Sequence, residues 1–271
     1  MIKQKKTEMT FLEHLEELRW HIIRSALAIV ALSVLAFIYH NIVFDKIILA
    51  PKSPEFFTNR MLCRLGEIVH VKRLCINSHP FSLKSIYMAS QFLAHIKVSL
   101  IAGVVVAFPY VFFEFWRFIT PALYQNEKKH ARGAVFYTSF LFLLGVLFGY
   151  FLISPLSVNF LGNYRVSAQV TNDITLMSYI STVASVTLAS GIVFELPVLV
   201  FFLSKVGIIT PGFLKKYRRH AFIVILALAA IITPPDIFSQ ILVSIPLVLL
   251  YEVSITISRR IQREQEKKMA G

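Results

Sequence analysis

The residues of this sequence that can do chemistry are a few carboxylates set among apolar blocks. Glu17 lies in Thr10-Phe11-Leu12-Glu13-His14-Leu15-Glu16-Glu17-Leu18-Arg19, and Glu127 in Pro121-Ala122-Leu123-Tyr124-Gln125-Asn126-Glu127-Lys128-Lys129. Glu195 lies in Gly191-Ile192-Val193-Phe194-Glu195-Leu196-Pro197, and Asp236 in Thr233-Pro234-Pro235-Asp236. A carboxylate can grip a guanidinium bidentately, cap a helix, or hold a proton, so cation recognition, capping and proton relay are the chemistries open here. The eight histidines are scattered. There is no HExxH, paired CxxC, nucleophile elbow, P-loop or GxGxxG context. The sequence therefore predicts no metal, no cofactor and no catalytic residue.

The elements that must position these acids are membrane helices. Of 271 residues, 56% are hydrophobic and 16% charged, against about 45–50% and 25% in soluble domains. The apolar residues fall in blocks long enough for roughly 30 Å of hydrocarbon. Spans are expected at 22–39, 98–115, 134–155, 180–203, 221–232 and 237–257. The fold class is all-α: a polytopic membrane protein with about six transmembrane helices, the last two short. An acidic segment leads into the first block, so that block reads as a retained span and not a cleaved leader. Three parts follow: an N-terminal amphipathic segment (1–21), a membrane domain (22–258) with an external cap loop (40–92), and a basic tail (259–271).

The net charge of +13 is spread in short runs flanking the apolar blocks, with no basic stripe interleaved with aromatics, so a lipid bilayer and not a nucleic acid is the partner expected. Basic residues crowd the N-terminal tail, the loops after the second and fourth spans, and the C-terminal tail, whereas Arg165 alone follows the third span. Both termini should be cytoplasmic. The first external loop breaks the pattern with seven basic residues between Asp45 and Lys84, but long loops cross largely regardless of charge.

Each acid has a plainer reading beside the functional one. The segment around Glu17 has capping-box spacing at Thr10 and Glu13, and could be no more than an amphipathic lead-in; its three glutamates argue against this, because interfacial helices favour lysine and arginine. Glu127 could pair with Lys128 or Arg132. Glu195, inside span four, is a costly intramembrane acid whose rival reading is a protonated structural residue, with Pro197 loosening the helix beside it. Asp236 suits a helix N-cap. Glu114 and Glu252 are expected near span ends, within reach of the interface. Cys63 and Cys75 both fall in the external loop, where two thiols suggest a disulfide.

Together these segments resemble the TatC family, the multi-spanning receptor of the twin-arginine protein translocase. The resemblance runs from about Phe11 to Arg260. It is carried by His14-Leu15-Glu16-Glu17-Leu18-Arg19, Phe118 through Glu127, Phe194-Glu195-Leu196-Pro197 and Thr233-Pro234-Pro235-Asp236-Ile237-Phe238-Ser239-Gln240, with Ala50-Pro51 just after span one. The external loop is longer than the family leads one to expect. The resemblance implies that twin-arginine signal peptides of folded precursors bind at Glu17 and Glu127, supported by Leu18, Arg19 and Phe118. It implies that Glu195 meets a polar residue of a single-span TatA- or TatB-like partner. It also implies a homo- and hetero-oligomer in the bacterial cytoplasmic (inner) membrane, driven by the protonmotive force. Pro51 and Asp236 are further candidates. The alternatives are a proton-coupled secondary transporter using Glu195 and Asp236, against which no internal repeat is found, and an intramembrane enzyme, for which no nucleophile–base pair is visible.

Overall fold

Long apolar blocks become helices because a backbone in hydrocarbon can satisfy its polar groups only within itself. The structure, a computed structural model, describes residues 11–71, 75–77, 81–119, 131–167, 169, 172–233 and 237–270. Its α-helices are α1 (Phe11–Ile38), α2 (Phe57–Ile68), α3 (Ser90–Ile119), α4 (Ala131–Phe148), α5 (Ser154–Asn163), α6 (Leu176–Val193), α7 (Leu196–Lys205), α8 (Pro211–Lys216), α9 (Arg218–Ile232) and α10 (Ile237–Ala270). No strand occurs among the described residues; Lys84 and Thr175 form one isolated bridge.

Five stretches are long and apolar enough to cross a membrane: Leu15–Ile38, Ser90–Phe118, Val135–Asn163, Leu176–Lys205 and Ser239–Lys267. The sixth block, α9, is a helix of 15 residues, or roughly 22 Å at about 1.5 Å per residue. Of the two short final spans expected, α9 is short and begins at Arg218 instead of Ala221, whereas the last stretch, Ser239–Lys267, has 29 residues. Several boundaries differ from those read in the sequence. The helix of the lead-in continues unbroken, as α1, from Phe11 through the first span. The basic tail likewise continues α10 to Ala270. Helices outlast the apolar run because their ends can be solvated by water instead of lipid.

The chain divides into two units, Met1–Tyr39 with Ser99–Phe140, and His40–Val98 with Leu141–Gly271. In the first, α1 approaches α3 closely at Gly103, where a Cβ would sit 2.8 Å from the Ser33 nitrogen and 2.9 Å from the Ile29 oxygen. Leu27, Val30, Val34 and Ile38 of α1 form an exposed apolar face. In a spanning helix such a face is covered by acyl chains, so its exposure carries no hydrophobic penalty.

In the second unit, small residues let helices meet. A Cβ on Gly145 would lie 2.6 Å from the Ser190 oxygen, and one on Gly191 would lie 2.9 Å from the Phe142 ring. The core between these helices and α9 and α10 contains Ile153, Val186, Phe194, Ile225, Ala229, Val243 and Leu247. Between α4 and α5 the third span widens into a π-helix at Gly149–Ile153. Pro155 has no N–H for the Phe151 carbonyl, and the Thr58 hydroxyl of α2 donates to that carbonyl instead.

The loop between the first two spans is anchored by a buried polar knot. Asn59 Nδ2 donates to the oxygens of Pro51 (3.1 Å) and Ser53 (2.7 Å). Asn77 Nδ2 donates to the oxygens of Pro51 (3.3 Å) and Pro155 (3.1 Å), and its backbone N–H donates to Asn159 Oδ1 (3.1 Å). Cys63 and Cys75 are disulfide-bonded, which ties α2 to the strand of chain carrying Asn77. Lys84 reaches Asp173 at 2.7 Å beside the bridge to Thr175.

Candidate functional site

Two separate places gather the acids, one in each unit. In the first unit, Glu17 and Leu18 are half-buried on α1 and Arg19 is exposed. One helical turn after Glu17 stands His21, whose Nδ1 lies 2.5 Å from a Glu114 carboxylate oxygen of α3. Tyr110 donates to the other Glu114 oxygen at 3.0 Å, and the Arg24 guanidinium approaches to 3.9 Å. The His21 ring also meets Phe118 edge-on, with centroids 6.0 Å apart. Phe118 is thus held against the turn of α1 that follows Glu17.

Glu114 corrects the expectation of an acid near a span end that reaches the interface, for it is only 2% exposed. Burial of a carboxylate is tolerated where hydrogen bonds and an opposite charge replace water, and His21, Tyr110 and Arg24 supply them. The sequence held a signal for this group. Tyr110 and Glu114 have i,i+4 spacing, and His21 and Arg24 share a face of α1 with Glu17.

Among the described residues, Glu17 has no ion-pair or hydrogen-bond partner. A half-buried carboxylate without a cation of its own is suited to take one from a ligand, and a guanidinium satisfies it better than an ammonium because two parallel N–H donors fit its two oxygens. Glu127 and Asp236, two of the other three predicted acids, lie outside the described residues.

The second place is the break between α6 and α7. Glu195 lies within the apolar stretch Leu176–Lys205, and beside it α6 ends at Val193 and α7 starts at Leu196. The cause is Pro197, which lacks the N–H that would bond the Val193 carbonyl. The ladder tightens there, with Glu195 N–H donating to the Ile192 oxygen at 3.1 Å and Val198 N–H to the Glu195 oxygen at 3.0 Å. Both Glu195 carboxylate oxygens are shielded from solvent without a well-formed hydrogen bond. A carboxyl placed so can receive a donor that arrives from outside the chain.

The remaining predicted residues take structural positions. Pro51 is buried, and its carbonyl receives both Asn59 and Asn77. Glu252 pairs with Arg218 across α9 and α10 at 2.5 Å, so it too has a partner and not merely access to the interface. Among the described residues no cluster of three or more histidines, cysteines or acids could hold a metal.

Comparison with known proteins gives one answer. The family model described as Sec-independent protein translocase protein (TatC) matches residues 13–246. The TatC protein of Blattabacterium sp. subsp. Periplaneta americana is 41% identical over 266 residues, covering 97% of this chain and 100% of that protein. TatCy of Bacillus subtilis is 31% identical, over 100% of this chain and 97% of its own. A crystal structure of the twin-arginine translocase receptor TatC superposes with a TM-score of 0.68 at 33% identity, covering 92% of this chain and 100% of that one. These matches extend across both units and all the spans, and on them the chain belongs to the TatC family of Sec-independent protein translocase proteins.

Proposed function

We propose that this chain is the receptor subunit of a twin-arginine translocase and not an enzyme: it binds twin-arginine signal peptides of folded precursors and assembles with single-span TatA- or TatB-like partners. The observation that carries the reading is Glu17, a half-buried carboxylate without a cation among the described residues, whose helix is braced through His21 to Phe118 and Glu114. Glu17 and Glu127 receive the two guanidinium groups, with Leu18, Arg19 and Phe118 framing them. An exposed ion pair contributes about 0–1 kcal/mol, so the carboxylates select arginine while the apolar part of the signal peptide provides most of the affinity.

Glu195 is the docking point for a polar side chain of a single-span partner. Its position at a helix break within the second unit, with both oxygens lacking a good donor, supports that role. The setting is the bacterial cytoplasmic membrane with both termini inside, in a homo- and hetero-oligomer that exports folded proteins using the protonmotive force. The basic flanks of the spans support this orientation.

Co-purification tests the reading. A precursor with a twin-arginine signal should be retained by the tagged chain in membranes, a twin-lysine version should be lost, and Glu17→Ala with Glu127→Ala should abolish the difference. Equal retention of the two precursors by the unaltered chain would refute the assignment.

A further inference from the structure

The external helix α2 is amphipathic in an unusual sense for a cap: its apolar face is the one turned outward. Phe57, Met61, Leu65 and Ile68 recur at helical spacing and are 61%, 52%, 40% and 73% exposed. The opposite face is the packed one, with Thr58, Asn59 and Gly66 buried and Cys63 tied to Cys75. Arg60 and Arg64 are exposed along the edge of the apolar stripe. An apolar face of this kind, left in water, would be a liability.

Its surroundings say what covers it. The Phe57 ring meets Phe151 edge-on at 6.4 Å, and Phe56 stacks on the same ring at 5.5 Å. Phe151 belongs to the membrane-crossing stretch Val135–Asn163 and is itself exposed. Thr58 bonds the Phe151 carbonyl that Pro155 leaves open. The stripe on α2 is therefore continuous with a lipid-facing surface of the third span, and two arginines beside it match the charge of lipid phosphates.

We infer that α2 is a membrane-seated helix, its Phe57–Met61–Leu65–Ile68 face in the acyl boundary at the end of the third span and its Arg60 and Arg64 at lipid phosphates. Interfacial helices bind in this manner, with bulky apolar residues inward and long basic side chains reaching the headgroups. The disulfide and the Asn59–Asn77 knot hold the helix in the orientation that points this face into lipid.

Spin labels read the depth directly. Met61→Cys, Ile68→Cys and Glu67→Cys each add one free thiol to the oxidised protein, and all three positions are exposed, so labelling displaces no packed side chain. In phosphatidylethanolamine–phosphatidylglycerol vesicles, labels at positions 61 and 68 should collide with oxygen more often than with a water-soluble nickel complex, and the label at 67 should show the reverse. Equal, water-like collision at all three positions would overturn the inference. So would labels at 61 and 68 that are immobilised and shielded from both reagents, which would place a protein partner or a second copy on this face.

Discussion

His21 of α1 and Glu114 of α3 are 93 residues apart in sequence, yet their side chains meet at 2.5 Å. The contact fixes the helix that bears Glu17 next to Phe118, so the proposed recognition face depends on a polar pair outside it. Glu114→Ala removes the partner of both His21 and Tyr110. Leaving buried polar groups unpaired costs about 1–3 kcal/mol, and more for a charged group. Glu114→Gln keeps hydrogen bonds to both and should lose less. Thermal unfolding of the purified variants should rank them unaltered, Gln, Ala, and precursor cross-linking should follow the same order. Cross-linking unchanged in the Ala variant would show that the pair positions nothing.

Close helix contacts at glycine give a second prediction. Gly145→Ala and Gly191→Ala each push a methyl into Ser190, Phe194 or Phe142 at less than contact distance, and overpacking of this kind costs about 1–3 kcal/mol. Gly133→Ala meets nothing within 4 Å and serves as the control. Folded yield in membranes should fall for the first two and hold for the third.

The cap gives a third. Cys63 and Cys75 are 12 positions apart, and closing such a loop is worth about 3 kcal/mol by chain entropy. Thiol labelling of the denatured, unreduced protein should find no free cysteine. Asn77→Ala should destabilise the cap even with the disulfide intact, because Asn77 links Pro51, Pro155 and Asn159. Protease nicking between the second and third helices measures this: the Ala variant should be cut faster than the unaltered chain.

Glu195 gives a fourth. If a partner's side chain donates to it, Glu195→Gln keeps an acceptor and should retain much of the transport, whereas Glu195→Ala should retain little. Loss in both variants would mean that ionisation is needed. Full transport by the Ala variant would leave Glu195 without a docking role.

Much of this was legible in the sequence because lipid imposes a coarse code. Blocks of apolar residues had to become helices, and the two cysteines in one loop could be read as a pair. Finer features escaped for physical reasons. Pro197 signalled a loosened helix beside Glu195, but that α6 stops at Val193 and α7 restarts at Leu196 is a detail a hydropathy window passes over. Glu114 looked like an interfacial acid because its partners His21 and Arg24 lie on another helix, far away in sequence. The outward apolar face of α2 was hidden in a loop whose overall composition is polar.

If Glu17 reads a guanidinium, a comparison of affinities shows it. The purified chain, with its own Glu17 and as Glu17→Gln, is titrated with matched twin-arginine and twin-lysine signal peptides. The second N–H donor of a guanidinium adds about 0–1 kcal/mol over an ammonium at such an ion pair, which corresponds to a preference for arginine of up to about fivefold. Glu17→Gln should remove most of that preference and weaken twin-lysine binding less than twin-arginine binding. The same preference for arginine in the Gln variant as in the unaltered chain would contradict the account.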